Sequence, residues 1–122
     1  MKKTIVLLVF AIVWQRAAIA QSDLDAFRGT WLYDRYLGFK RGDVSEAGLY
    51  VGYLSGVIDA KLLEADAAGK KAPWCQPQGA VMSQYFDIVG RYLEVHPELR
   101  QRHKVNLIVQ ALAESWPCGP RR

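Results

Sequence analysis

Residues 105–118, VNLIVQALAESWPC, combine a helical pattern with a cysteine placed directly after it. The apolar side chains recur at intervals of three and four, so they share one face of an amphipathic helix. Pro117 ends this helix, because a proline disfavours helical conformation in the residue before it. The apolar face, which begins upstream of this stretch, consists of Leu99, Val105, Ile108, Leu112 and Trp116.

Three earlier segments show the same helical period, and together they predict an all-α bundle of about four helices. The first has Ser22 as its candidate N-cap and carries Leu24, Phe27 and Trp31 at helical spacing. The stretch GFKRGD, residues 38–43, is predicted to be a loop. The predicted helices run from Ser22 to about Gly38, from Asp43 or Ser45 to about Ala67, from about Val81 to Glu94, and from Pro97 to Trp116.

Residues 1–20 have the three parts of a secretory signal peptide. Lys2 and Lys3 precede an unbroken apolar run of ten residues, and small residues lead to the expected cut after Ala20. The alternative is a membrane anchor, but a helix that spans a bilayer needs about 20 apolar residues. We therefore expect export to the periplasm, no stable membrane anchor after cleavage, and one mature domain of residues 21–122.

Removal of the signal peptide changes the charge of the chain. The full sequence has a formal net charge of +4, whereas residues 21–122 hold thirteen Lys and Arg residues against twelve Asp and Glu. A nucleic-acid-binding domain shows a basic face or stripe, while here charges of both signs are mixed along the chain. Nucleic acid is therefore excluded as a partner.

The sequence contains two cysteines, Cys75 and Cys118. In an oxidising periplasm they favour a structural disulfide, which would stabilise a small domain by roughly 4 kcal/mol in the chain-entropy description. A metal site is the weaker alternative, since two isolated cysteines without nearby histidines make a poor zinc set. A thioredoxin-like redox site needs two cysteines two residues apart, and WPCGP at 116–120 has one. Neither a metal nor another cofactor is expected.

The second helix contains Gly48, Gly52 and Gly56 in the stretch GLYVGYLSGVIDA. Their spacing of four places them close to one face, where they leave a groove without side chains. Each glycine inside a helix costs about 1 kcal/mol relative to alanine, so a close contact must offset that cost. The contact is either tight packing against another helix of the same chain or the seam of a homodimer.

Candidate catalytic residues do not form a recognised constellation, and the sequence predicts a protein without enzymatic activity. Ser55 in GYLSG is one position away from the centre of a nucleophile elbow and lies in a helix. His96 and His103, seven residues apart, could share a helical face but are interpreted as solvated surface residues. Asp59 is either a buried partner of a helix N-terminus or an arginine, or a carboxylate that faces solvent.

Four stretches taken together resemble the Rap/Tai family of small periplasmic immunity proteins. The resemblance implies a helical bundle, often dimeric, that inhibits a type VI secretion effector by covering its active-site cleft. The best-known targets of the family are peptidoglycan amidases. The four stretches are GYLSGVIDA at 52–60, CQPQG at 75–79, QYFDIVGRYLEVHPELR at 84–100 and VNLIVQALAESWPC at 105–118.

The sequence departs from the family pattern in two places. Family members commonly carry further cysteines near the first helix and at the start of the glycine-containing helix, where this chain has Trp31 and Tyr50. The first helix is therefore expected to be held by packing alone. Val81 stands where the family pattern has a threonine N-cap, so the cap of the third helix is expected to shift to Ser83.

The connection from Asp66 to Gln78 is the candidate surface for binding the effector. An element that blocks an enzyme cleft must be partly rigid, because each flexible side chain that is ordered on binding costs about 0.5 to 1.5 kcal/mol. Cys75 anchors one end of the connection, and Lys70 and Lys71 supply positive charge. Trp74 belongs to a residue type that is enriched among binding hot spots, and the alternative is that it covers the core.

A second functional class fits the same features. A small periplasmic chaperone or envelope stress protein could also be a helical domain with one disulfide that exposes apolar surface when conditions change. A neighbouring effector gene would favour immunity, whereas acid-dependent unfolding with client binding would favour the chaperone.

Overall fold

The predicted all-helical architecture with one disulfide is confirmed by the computed structural model, which describes residues 24–120. The predicted signal peptide and the Ser22 cap lie outside these residues. Within them, four complete α-helices surround one core, and a short 3-10 turn at Pro97–Leu99 precedes the last helix. The helices are α1 (Gly29–Arg41), α2 (Val44–Ala67), α3 (Met82–Val95) and α4 (Lys104–Ser115).

The core is centred on Tyr50 of α2, whose side chain is fully buried. The centroid of its ring lies 5.5 Å from those of Tyr36 and Phe39 on α1, and 6.3 Å from that of Phe86 on α3. The Tyr50 hydroxyl donates a 2.7 Å hydrogen bond to the main-chain oxygen of Phe86, as a buried hydroxyl requires. One aromatic side chain therefore joins three helices. Further core residues are Leu32, Leu54, Ile58, Val89, Leu93, Leu107, Ile108 and Leu112.

Three glycines let α1 pack closely against its neighbours. A Cβ atom at Gly38 would overlap the side chain of Glu46 on α2, and a Cβ atom at Gly90 of α3 would overlap the ring of Tyr36. Protein interiors are close-packed, so a side chain at either position would push the two helices apart. Tight helix contacts therefore lie at Gly38 and Gly90, and also at Gly29, where a Cβ atom would overlap the side chain of Leu107 on α4.

Helix α1 begins later than predicted, at Gly29. Arg28 has an extended backbone conformation and pairs with His103 in an isolated antiparallel bridge. The backbone N–H of Lys104 donates a 2.8 Å hydrogen bond to the carbonyl oxygen of Phe27 within this pairing. The helical face predicted for the first segment is therefore broken before Gly29, because a contact with a distant part of the chain overrides the local pattern.

Lys104 of α4 binds the segment that precedes α1. Its ammonium group donates a 2.7 Å hydrogen bond to the carbonyl oxygen of Ala26. The Lys104 Nζ atom also lies 3.9 Å from the ring centroid of Trp31 and 4.1 Å from that of Tyr53. Such cation–π contacts offset part of the cost of burying a charge, and the burial lowers the pKa of the Lys104 ammonium. As predicted, no disulfide involves α1, but packing does not hold it alone, because Arg35 of α1 forms an ion pair with Glu46 of α2.

The turn between α1 and α2 is shorter than the predicted GFKRGD loop, because α1 continues to Arg41. Gly42 follows with φ 77°, a left-handed conformation that glycine adopts without strain at the end of a helix. Of the two N-caps predicted for α2, the one observed is Asp43, whose carboxylate accepts a 3.0 Å hydrogen bond from the Glu46 N–H.

The start of α3 differs from the expectation that Ser83 would become its cap. Val81 is the N-cap residue, and Ser83 lies inside the helix. The side-chain oxygen of Gln84 accepts a 3.0 Å hydrogen bond from the Val81 N–H, which is one half of a capping box. The Gln84 N–H, which a threonine hydroxyl would accept, donates a 3.0 Å hydrogen bond to the main-chain oxygen of Val81 instead, so the helix starts at this position without a side-chain cap.

The predicted fourth helix is interrupted near its start. Pro97–Leu99 forms a single 3-10 turn, and α4 begins only at Lys104. The Arg100 Nε atom donates a 2.7 Å hydrogen bond to the carbonyl oxygen of Leu93 near the end of α3, where helix carbonyl groups lack partners. This contact turns the chain back before α4, so Leu99 lies outside the apolar face of that helix. The predicted stop before Pro117 is confirmed.

Substitution of Tyr50 tests the core. Burial raises the pKa of the Tyr50 hydroxyl above its usual range, so the folded protein keeps this proton when the unfolded chain loses it. The contribution of the protonated Tyr50 hydroxyl to stability is therefore complete below pH ~10. As the pH rises further, the free energy of unfolding falls by up to about 1.4 kcal/mol per pH unit. We expect Tyr50→Phe to cost about 1 kcal/mol at neutral pH and to flatten this alkaline decline.

Urea unfolding between about pH 8 and about pH 11.5 measures both effects. Tyr33→Phe is the control, because the half-buried Tyr33 hydroxyl makes no hydrogen bond with a described residue. If the free energy of unfolding of Tyr50→Phe falls with rising pH as steeply as that of the unsubstituted protein, the Tyr50 hydroxyl is not the cause of the alkaline decline.

Candidate functional site

The predicted disulfide between Cys75 and Cys118 is present and joins residues 43 apart in sequence. It links the connection between α2 and α3 to the segment that follows α4. The backbone N–H of Cys75 adds a 2.8 Å hydrogen bond to the carbonyl oxygen of Trp116. One covalent bond and one hydrogen bond thus hold the connection against the end of α4, and the described residues include no other cysteine.

Trp74 does not present its side chain to a partner. It is 2% exposed and is the largest of the fully buried side chains. Its ring makes an edge contact with Tyr85, which in turn packs edge-on against Trp116 at 4.6 Å between ring centroids. The prediction of Trp74 as an effector-binding residue is therefore wrong, and the alternative that it covers the core is correct. The adjacent disulfide at Cys75 directs this position inward.

Lys70 and Lys71 are exposed, as their predicted role requires. Gly69, with φ 61°, ends α2 in a Schellman motif. In this motif the Lys70 N–H donates a 2.8 Å hydrogen bond to the carbonyl oxygen of Ala65, and the Gly69 N–H donates one of 3.0 Å to that of Asp66. The backbone that carries the two lysines is therefore fixed, although their side chains extend into solvent.

The two lysines stand at the edge of an open cleft of about 550 Å³ between the C-terminal half of α2 and α4. We call this depression the α2–α4 cleft. Its floor is apolar and is formed by Ala65, Ala68, Pro73, Val105 and Val109. Its rim is polar and is formed by Lys61, Glu64, Lys70, Lys71, Asn106 and Gln110.

The rim of the cleft carries an excess of positive charge. Lys61 forms a 2.7 Å ion pair with Glu64, and this hydrogen bond lowers the pKa of the Glu64 carboxyl. Lys70 and Lys71 form no ion pair with a residue in the described part of the chain. Two uncompensated positive charges therefore border an apolar surface.

Sequence reasoning missed the cleft itself. Val105 was placed on the apolar face of the last helix, and Val109, four residues later, was not singled out. The signal that could have revealed them is a second apolar row on α4, beside the row of Ile108 and Leu112 that enters the core. Lys61 was not singled out either, because only the fold brings α2 alongside α4.

The glycine face of α2, formed by Gly48, Gly52 and Gly56, is exposed. A Cβ atom added at any of the three positions would meet no described atom within 4 Å. Packing of these glycines against another helix within residues 24–120 is therefore wrong, and the dimer seam stays a prediction. Leu63, which is 69% exposed, lies on the same face, as does the solvent-facing carboxylate of Asp59.

The two histidines do not share a helical face. His96 follows α3 and its Nδ1 atom lies 3.1 Å from a carboxylate oxygen of Glu98, a partner that the sequence interpretation overlooked. The His103 ring accepts a 3.3 Å hydrogen bond from the Val105 N–H at the start of α4 and stacks on Phe27. Both rings therefore act at the ends of secondary structure.

Residues 24–120 contain neither a metal-binding cluster nor a helix that could span a membrane. Three or more His, Cys, Asp or Glu side chains nowhere come together in an arrangement that could hold a metal ion. None of the helices described is both long and apolar enough to cross a membrane.

Comparison with known protein families identifies the class of this chain. Residues 28–118 match the family described as Rap1a immunity proteins. The match begins at Arg28, which forms the bridge to His103, and ends at Cys118, so it includes all four helices and both halves of the disulfide. The chain belongs to this family, as the resemblance predicted. No curated protein and no solved structure matches it.

The disulfide at the cleft generates a prediction about stability. Replacing both Cys75 and Cys118 by serine should lower the free energy of unfolding by about 2 to 5 kcal/mol, because the unfolded chain regains the freedom that the closed loop removes. Urea unfolding of the variant and of the oxidised wild-type protein measures the difference. Thiol titration of denatured, unreduced protein should detect no free thiol, and equal unfolding midpoints would contradict the prediction.

Proposed function

We propose that this protein is a periplasmic immunity protein that binds and inhibits a type VI secretion effector of the peptidoglycan amidase class. Membership of the Rap1a immunity family, over residues 28–118, is the observation that carries the proposal. An immunity protein acts by binding its cognate effector, so the chain needs a surface for a partner and no catalytic activity of its own. Export by the signal peptide at residues 1–20 would bring it to the compartment where peptidoglycan is cleaved.

The connection around Lys70 and Lys71 is the surface that supports this function best. Its backbone is fixed at one end by the Gly69 turn and at the other by the Cys75 disulfide. A surface that is ordered before binding loses less conformational entropy when the complex forms. The exposed lysines supply a charge pattern that a partner can recognise, and the buried Trp74 supports the backbone from below.

We also propose that the protein is a homodimer whose seam is the glycine face of α2. Glycines at 48, 52 and 56 allow two helix backbones to approach closely, and no described residue of the same chain fills that space. Leu63 and Leu49, 69% and 48% exposed, extend the face with apolar surface. In a two-fold symmetric pair the same face would meet itself.

The immunity function is tested by expressing a candidate effector in the periplasm of a heterologous bacterium, the candidate being any secreted hydrolase that sequencing of the flanking genes identifies. Cells that also produce this protein should grow, and cells that lack it should lyse. A variant without residues 1–20 is the matched control, because it should stay in the cytoplasm and fail to protect. Analysis of the peptidoglycan fragments from lysed cells identifies the bond that the effector cleaves, and an amide bond is expected.

Lysis to the same extent with and without the protein would overturn the immunity proposal. The chaperone alternative makes a different prediction for the same purified protein. A chaperone would suppress the aggregation of unrelated periplasmic proteins on acidification, and it would do so without a cognate hydrolase.

The homodimer is tested by the mass of the mature protein in solution. The wild-type protein should have the mass of two chains, and Gly52→Leu should have the mass of one, because the added side chain prevents close approach of the two helices. Ser83→Leu, which adds a leucine at an exposed position of α3, should remain dimeric. A monomeric wild-type protein, or a dimeric Gly52→Leu variant, would show that the seam lies elsewhere or does not exist.

A further inference from the structure

We infer that the α2–α4 cleft binds an acidic segment of a partner protein through a central apolar side chain and flanking carboxylates. In the complex that the proposed function requires, this segment belongs to the effector. The inference therefore rests on the proposed function for the identity of the partner, while the chemistry of the segment follows from the cleft alone.

The floor of the cleft is suited to one apolar side chain. Val105 and Val109 lie one helical turn apart on α4, and both are half-buried. On the opposite wall, Ala65 and Ala68 of the α2 end have small side chains, which leave depth between the helices. The resulting volume of about 550 Å³ is large enough for a leucine or phenylalanine together with adjoining backbone.

The rim of the cleft selects for negative charge on either side of that apolar residue. Lys70 and Lys71 have no acidic partner among residues 24–120, and the lysine at position 61 is neutralised in part by Glu64. A basic segment would meet uncompensated like charges here, whereas an acidic segment would neutralise them. The charge balance of the rim therefore favours an acidic partner over a neutral or a basic one.

The α4 side of the rim can also hold a peptide backbone. Asn106 and Gln110 are one helical turn apart and run parallel to the valine row on the same helix. Gln110 Nε2 donates a 3.0 Å hydrogen bond to Glu114, and its second N–H and its oxygen, like the whole amide of Asn106, can still pair with the alternating groups of an extended chain. The lining of the cleft contains no aromatic ring on which a nucleic-acid base could stack, so a polypeptide fits it better than a single-stranded nucleic acid.

The first experiment measures binding of a defined probe to the mature protein. The probe is a fluorescein-labelled peptide with a central leucine flanked by glutamates, and it is compared with the same peptide in which glutamines replace the glutamates. Fluorescence anisotropy should show tighter binding of the acidic peptide, and the difference should shrink as salt is added. Equal binding of the two peptides, or tighter binding of a muramyl peptide or an oligonucleotide, would overturn the inference.

The second experiment uses variants of the cleft and of matched positions outside it. Lys70→Glu with Lys71→Glu should weaken binding of the acidic peptide and of the effector by on the order of 30-fold. Arg91→Glu with Arg102→Glu changes the net charge equally at exposed positions outside the cleft, and it should bind almost as the wild type does. Lys70→Ala with Lys71→Ala replaces the first variant if charge reversal lowers the melting temperature.

The floor is tested separately by Val109→Ala, which removes apolar surface from the cleft and should weaken binding about fivefold. Val95→Ala, at a position that is 67% exposed and outside the cleft, is its control and should leave binding unchanged. If Val109→Ala binds the acidic peptide and the effector as tightly as the wild type does, the floor of the cleft does not contribute to binding.

The outcomes separate this inference from the proposed function. If the wild-type protein protects cells and the cleft variants protect them equally well and bind the effector equally well, the cleft inference is overturned and the immunity function stands. If the wild-type protein neither protects cells nor binds the effector, the immunity proposal falls. The peptide measurement then still decides whether the cleft recognises an acidic segment.

Discussion

The attachment of Cys75 to the end of α4 fixes the connection between α2 and α3 and, through it, one side of the α2–α4 cleft. Without the disulfide and the hydrogen bond to Trp116, the middle of the connection between α2 and α3 would be held only by the packing of Trp74 against Tyr85 and by the hydrogen bond from the Tyr85 hydroxyl to Gln76. With this attachment of Cys75, Trp74 is held in the core and Pro73 is held in the floor of the cleft. A covalent constraint of this kind suits a small domain, whose core alone gives limited stability.

Sequence reasoning located the helices well where the local pattern is uninterrupted. The predicted and observed bounds of α2 and α3 agree within one or two residues, because caps and apolar spacing act over a single turn. The errors occur where a distant contact decides the conformation. Arg28 pairs with His103 and so delays α1, and Arg100 closes the end of α3 and so delays α4. Neither contact leaves a periodic signal in the sequence.

The candidate site was predictable in part, for a similar reason. Spacing identified glycines that share a helix face, but it could not show which glycine faces another helix, because that depends on the partner. Gly90 is required by the ring of Tyr36, whereas Gly52 meets only solvent in the described chain. Likewise, Lys70 and Lys71 are exposed as expected, while the adjacent Trp74 is buried. A lysine side chain is usually exposed, with Lys104 as the exception in this chain, whereas the orientation of a tryptophan is decided by the tertiary fold.

The Schellman turn at Gly69 has an evolutionary consequence. Residues 70–73 lie between this turn and the disulfide, and the backbone on both sides is held by contacts that do not depend on the side chains at 70 and 71. Mutations at those two positions can therefore accumulate with little cost to folding. Recognition could diverge quickly in this short segment while the helical scaffold stays the same, which is what a protein needs if its opponent changes sequence to escape it.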